Sequence, residues 1–197
     1  MRVVGVDPGL ARCGVAVVEA DGPRPRLVAE ELIRTPADLS VGQRLVRLAD
    51  TLDGLLRASS PDVLAIERLL FNANARSAMI VAQAVGVILL CAARAGIEAV
   101  DYTPTQVKAT VTGHGDADKA QVKYLVAAQL GRGAGPRSAD VADAAAIALC
   151  HLWRDGGASH GDPVAGGHRA RLAAALERAG PGAQVVQPAQ RGRGGTR

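Results

Sequence analysis

Aromatic side chains are nearly missing from this 197-residue chain, which has one Phe, two Tyr and one Trp, 2% of the total. Hydrophobic residues still make up 48%, so the core is expected to be built from Val, Leu, Ile and Ala. Cysteine is scarce as well. Cys13, Cys91 and Cys150 are odd in number, far apart and set among apolar neighbours, which argues against a disulfide framework or a zinc cluster. They read as small buried hydrophobes in a reducing compartment. No apolar run is long enough to suggest a membrane span, because the longest, from about 78 to 95, is interrupted by Gln83 and Arg94. The N-terminus enters a strand pattern directly and shows no leader, so the cytoplasm is the expected location, with no membrane partner. Nothing resembles an activated Ser or Cys nucleophile, so covalent catalysis is not expected.

An excess of one charge is also missing from most of the chain. The formal net charge is +4, yet residues 1–153 hold 16 Lys and Arg against 16 Asp and Glu, while residues 154–197 hold 7 against 3. The basic pI of about 9.3 therefore describes the tail. That tail is rich in Gly, Ala, Pro and Arg and ends in Arg191-Gly192-Arg193-Gly194-Gly195, with one weak helical pattern at about 168–179. The expected organisation is a domain over residues 1–153, large enough for a real core, followed by a Gly/Ala/Arg-rich extension over 154–197 that is largely disordered. An Arg-Gly end suits non-specific contact with nucleic acid; a solvated extension without function fits equally.

Against this plain background four acids stand out by position. Arg2-Val3-Val4-Gly5-Val6-Asp7 is a β-branched strand pattern ending in an acid; Pro8-Gly9 turns the chain, and Cys13-Gly14-Val15-Ala16-Val17-Val18 returns it as a hairpin. Val63-Leu64-Ala65-Ile66-Glu67 repeats the design. Burying such a charge without a partner costs several kcal/mol, roughly, and a cation is the partner that would offset it. Asp140 and Asp143 lie three apart in the strongly helical segment 139–149, so their carboxylates share a face and repel unless a positive charge stands between them. Each acid also has a plainer reading: Asp7 as a turn residue, Glu67 as a helix cap, Asp140 and Asp143 as a first helical turn favoured by the dipole. Jointly they fit a two-metal phosphodiesterase, in which divalent ions about 3.5 to 4 Å apart activate water and stabilise the leaving oxygen. An all-carboxylate set favours Mg²⁺, two ions to a site, over zinc with its preference for His and Cys; Mn²⁺ is compatible with the same ligands.

Periodicity predicts strands near 2–7, 13–20 and 26–34, then a helix near 40–58 with Leu45, Leu48, Leu52 and Leu55 on one face. A strand at 63–67, a helix near 74–95, a strand near 97–102, a short helix after Pro104, a helix near 118–130 and the acidic helix at 139–152 complete the order. Alone, that order says α/β.

Five segments then carry a resemblance: Val4-Gly5-Val6-Asp7-Pro8-Gly9, Ala65-Ile66-Glu67-Arg68, Thr105-Gln106-Val107-Lys108, Ala117-Asp118-Lys119-Ala120-Gln121-Val122 and Ala139-Asp140-Val141-Ala142-Asp143-Ala144. In that order, over about residues 1–153, they resemble the RuvC family of Holliday junction resolvases. The resemblance implies a ribonuclease H-like fold, a mixed five-strand sheet flanked by helices. It implies a structure-specific endodeoxyribonuclease that cuts four-way junction DNA in paired symmetric fashion during recombination and repair. It implies that Asp7, Glu67, Asp140 and Asp143 are the catalytic, metal-binding carboxylates and that Lys108 and Lys119 are basic positions beside the scissile phosphate. It also implies a homodimer through the helix near 74–95, and the RuvA and RuvB branch-migration proteins as partners. The chain departs from the pattern where many members place an aromatic residue three positions after the catalytic glutamate. Here that position is Leu70, with Phe71 next, and either supplies apolar bulk to wedge between bases. Arg76, with Arg68 and Lys123, is a further candidate for phosphate contact, and His114 reads as a loop residue.

Other readings differ in what they leave unexplained. A non-catalytic junction-binding protein has no need of all four acids. An ATPase of the actin and sugar-kinase superfamily begins with a similar strand, acid and glycine turn but requires two such lobes. A ribonuclease acting on RNA-DNA hybrids shares the carboxylates, and only the segments around Lys108 and Lys119 separate it from a resolvase, through the resemblance. Two symmetric cuts call for two active sites and so a twofold dimer. The helix near 74–95 is apolar around more of its circumference than one sheet face requires, and the surplus around Met79, Val87 and Leu90 is the expected interface.

Overall fold

Side-chain alternation along the strands decides which layer each residue joins, and the computed structural model, which describes residues 1–21, 24–68, 75–130 and 135–155, follows that rule. Its strands are β1 (Arg2–Asp7), β2 (Arg12–Glu19), β3 (Arg26–Arg34), β4 (Val63–Glu67) and β5 (Glu98–Tyr102). Its helices are α1 (Val41–Ser59), α2 (Ala75–Arg94), α3 (Pro104–Thr112), α4 (Lys119–Leu130) and α5 (Ala139–Asp155). The strands form one mixed sheet in the order β3-β2-β1-β4-β5, antiparallel from β1 through β2 to β3 and parallel from β1 through β4 to β5. The expected five-strand sheet with flanking helices is thus present, with element ends within three residues of those read from periodicity, the largest difference being the C-terminal end of α5.

The sheet is covered on both faces, which is why β1, β2 and β4 read as near-continuous apolar runs. Val3, Ala65, Ala16 and Val18 pack on one side with α3, α4 and α5. Val4, Val6, Val15, Val17, Leu64 and Ile66 pack on the other with α1 and α2. On α1 the fully buried stripe is Leu48, Leu52 and Leu56, with Leu45 and Leu55 at its margins. The core is aliphatic, as the shortage of aromatics requires. Cys13, Cys91 and Cys150 are buried in it and form no disulfide, and burial pushes the Cys13 and Cys91 thiols up to about 12, far from the reactive range.

Local capping chemistry sets where the later helices start. Thr103 accepts from the backbone N–H of Gln106 at 3.2 Å while the Gln106 side chain accepts from the Thr103 N–H at 2.9 Å, a capping box that opens α3. Asp118 and Gln121 repeat the exchange at the head of α4, at 2.8 and 3.1 Å. Ser138 accepts from the N–H of Val141 at 3.3 Å at the head of α5. These starts fix the rotational phase of Lys108, Lys119, Asp140 and Asp143 about their helices. A hydrogen bond of 2.8 Å between the Tyr102 hydroxyl and Nδ1 of His151 ties the end of β5 to α5 inside the core.

No helix among the described residues is long and apolar enough to cross a membrane. Leu70, Phe71 and the extension beyond Asp155 lie outside the described residues, as does the side chain of Arg76 in the first turn of α2.

Candidate active site

β1 and β4 run parallel with Val6 opposite Ile66, so Asp7 and Glu67, one residue further along each strand, leave the sheet at the same end. Alternation puts both on the face that carries Val3 and Ala65, under α5. The helix can lie there because two side chains are missing. A Cβ on Gly5 would stand 2.0 Å from the carbonyl oxygen of Ala144 and 2.8 Å from the nitrogen of Ala148. One on Gly14 would stand 2.1 Å from the carbonyl oxygen of Asp140. Both distances are far inside contact, so α5 rests on bare strand backbone. Gly14 is the register partner of Asp7, and seating Asp140 over Gly14 therefore brings a helix acid beside the strand acid. Asp143 follows three residues later on the same face.

α3 and α4 close the other side. The resulting cleft, about 380 Å³ in volume, is lined by Asp7, Glu67, Asp140, Asp143, Lys108 and Lys119, with Pro104, Val107, Val122, Ala146 and Ile147 as its apolar wall. Six of the site residues expected from sequence meet at one place. Arg68, expected along the groove, does not line this cleft and forms an ion pair with Asp101 of β5.

The acids act on one another. The Asp7 carboxyl is pushed up to about 7, first by burial and then by Glu67, Asp143 and Asp140, with Lys119 opposing. Glu67 is raised by burial and by Asp143. Asp143 is raised by burial, with Lys119 lowering it and Asp140 raising it. Lys119 Nζ stands 3.8 Å from Asp143 Oδ2 on a side chain that is 90% exposed, so it tempers the field without being fixed.

Sequence reasoning missed Arg12. It opens β2, and its Nε donates to Asp140 Oδ2 at 3.0 Å while Nη2 donates to the same oxygen. A signal was present in hindsight: Arg12 and Gly14 are two apart on one strand and so share a face. Gly5 and Gly14 were read only as parts of strand patterns, although they set the depth of the site.

The donor set fits a hard divalent cation. Four carboxylates on three elements supply oxygen alone, neither His nor Cys lines the cleft among the described residues, and three of the acids carry raised pKa values that an added cation would reverse. Among the described residues, no three His, Cys, Asp or Glu side chains close on one ion-sized point, and Asp140 is engaged with Arg12.

Comparisons with known proteins agree on one family. The family described as "Crossover junction endodeoxyribonuclease RuvC" matches residues 3–151. A protein of that name from Frankia alni is 48% identical over 190 residues, covering 96% of this chain and 89% of the relative. Another from Rhodococcus jostii is 50% identical over 155 residues, 78% of this chain and 82% of the relative. Among solved structures, the Thermus thermophilus RuvC in complex with Holliday junction substrate superimposes with a TM-score of 0.74 at 34% identity, covering 78% of this chain and 93% of that one. With a catalytic-type acid cluster on a ribonuclease H-like sheet and these relatives across its described core, this chain belongs to the RuvC family of crossover junction endodeoxyribonucleases.

Proposed function

We propose that this protein resolves four-way DNA junctions by paired, symmetric hydrolysis of phosphodiester bonds in homologous recombination and repair, in the cytoplasm, as a homodimer with two Mg²⁺ ions in each site. The observation that carries the reading is the convergence of Asp7, Glu67, Asp140 and Asp143 on one cleft flanked by Lys108 and Lys119. The T. thermophilus relative was solved with a Holliday junction substrate, which supports junction DNA as the substrate here.

Nucleases of this family are metal-dependent. Two ions, and Mg²⁺ rather than Mn²⁺, are the finer reading that the all-oxygen donors favour. Bound there, the ions supply Lewis-acid activation of water and offset the charge that builds on the phosphate in the transition state. The four carboxylates hold and space that charge. Lys108 and Lys119 hold phosphates of the strand in the cleft, which gives affinity without sequence information. Leu70 or Phe71 serves as the wedge between bases, and Arg76 as a further phosphate contact. The nuclease unit is residues 1–153, and the RuvA and RuvB proteins are the proposed partners in branch migration.

The test is a gel assay of the purified protein with Mg²⁺ on a mobile four-way junction, a linear duplex and an RNA-DNA hybrid. Paired symmetric nicks on the junction alone are expected. Cleavage of the hybrid would point to a ribonuclease, and junction binding without cutting under any divalent ion to a non-catalytic role.

A further inference from the structure

Arg12 and Gly14 sit two apart on β2, so both face α5. Gly14 meets the backbone of Asp140 there, and the Arg12 guanidinium reaches the Asp140 carboxylate with Nε at 3.0 Å and Nη2 on the same oxygen. The Arg12 side chain is 51% exposed and Asp140 26%, so the pair lies at the open rim of the cleft and burial does not lock it. Asp140 is at the same time one of the four acids of the cleft. One carboxylate is therefore claimed by a resident cation and by the site it helps to build.

We propose that Arg12 is an exchangeable counter-ion: a divalent cation taking Asp140 displaces its guanidinium, which then turns to a phosphate of the strand in the cleft. The inference rests on the two-metal reading above. A doubly charged ion and a guanidinium repel each other across one carboxylate, and a half-exposed ion pair is too weak to hold its place against the ion. The planar fork of Arg matches a phosphate as well as it matches a carboxylate, so the displaced group finds an equivalent partner when DNA is present. Before exchange, Arg12 offsets one of the charges that would otherwise repel the backbone of the substrate. After it, the ion performs that task and Arg12 is released toward the substrate. The ion and the DNA then favour each other's binding, and by linkage the coupling is reciprocal.

The experiment titrates the full chain with Mn²⁺ in the absence of DNA, by calorimetry and by the electron paramagnetic resonance signal of the free ion. It compares wild type with Arg12→Ala, Arg12→Gln and Arg12→Lys. Arg12→Ala and Arg12→Gln are expected to bind the ion about two- to five-fold more tightly, the loss of a surface ion pair at the stronger end of its range, and Arg12→Lys to lie close to wild type. Junction affinity measured with Ca²⁺ should then fall for Arg12→Ala, with a salt dependence shallower by about one phosphate contact, while in chelator the two slopes coincide. Ion affinity in Arg12→Ala and Arg12→Gln that is unchanged or weaker overturns the exchange and makes Arg12 a fixed support for Asp140. A wild-type chain that binds no ion removes the two-metal reading itself, an outcome read from a different sample.

Discussion

Asp7 is the residue on which burial and three neighbouring carboxylates act together. Its pKa near 7 in the folded chain lies above the ordinary 3.8, so between those values the folded protein holds a proton that the unfolded chain has lost. Stability therefore falls as pH rises through that window and the penalty is complete above it. Its size is on the order of 2 to 4 kcal/mol after allowance for solvent screening. In chelator at about pH 8, Asp7→Asn should melt above wild type, and the gap should close at about pH 4, where both side chains are neutral. Thermal denaturation of the two proteins at both pH values checks this, and coincident curves at the higher pH would show the carboxylate to be unstrained. The same substitution is expected to reduce junction cleavage by at least about 10³-fold, since an uncharged amide no longer anchors the charge that stabilises the transition state, while gel-shift affinity for the junction is retained. A variant that cut at near wild-type rate would remove Asp7 from the metal site. Added Mg²⁺ should reverse the stability order, because ligand binding to the folded state stabilises wild type and not the variant.

At the scale of elements, the site depends on how closely α5 lies on β1 and β2. Gly14→Ala would place a methyl carbon 2.1 Å from the carbonyl oxygen of Asp140, and the backbone must move to make room. A cost of about 1 to 3 kcal/mol is expected, and because the displaced segment carries Asp140, cleavage should fall by more than the loss of folded protein explains. Gly5→Ala meets Ala144 and Ala148 further along the helix and should cost as much stability. Denaturant midpoints beside single-turnover rates separate the two effects; if Gly14→Ala kept full stability and rate, the close packing would not be needed. Ser40→Ala removes the capping box of α1, on the opposite layer, and should cost about 1 kcal/mol with no effect on cleavage. These elements were largely legible in the sequence. Strand-end acids, the D-x-x-D spacing and apolar periodicity gave the strands, the helices and four residues of the cleft by local pattern alone. Lys108 and Lys119 came through resemblance. The Arg12 pair joins residues 128 apart in sequence, and long-range pairing of that kind leaves no periodicity to read. The pairing of Arg68 with Asp101 is equally out of reach of local pattern, because the two residues come from different parts of the sheet.

For the whole molecule, two symmetric cuts need two clefts, and α2 offers a surface suited to join them. Met79, Gln83, Gly86 and Leu90 are exposed at spacings of four, three and four, the pattern of a helix seam with a partner helix. Met79 is 65% and Leu90 47% exposed, and none of the described residues lies within 4 Å of where a Cβ on Gly86 would point, which leaves room for a second backbone. Val87, grouped with them from sequence, is half-buried and packs into the core of its own chain, so the exposed stripe runs one residue away through Gly86. In the proposed dimer a twofold axis at this stripe would make it self-complementary, with Met79 of one copy meeting the Leu90 end of the other where the helices run antiparallel. Charges of one sign placed at both ends cannot be relieved across such an axis. Met79→Lys with Leu90→Lys should therefore yield a folded monomer by light scattering at micromolar concentration, with the melting of the protomer core little changed. That monomer should nick junctions on one strand at a time and lose the paired product, since each cut would come from an independent encounter. A wild-type chain that is itself monomeric at that concentration, and still makes paired cuts, would exclude the α2 seam and require the second active site to arrive only on the DNA.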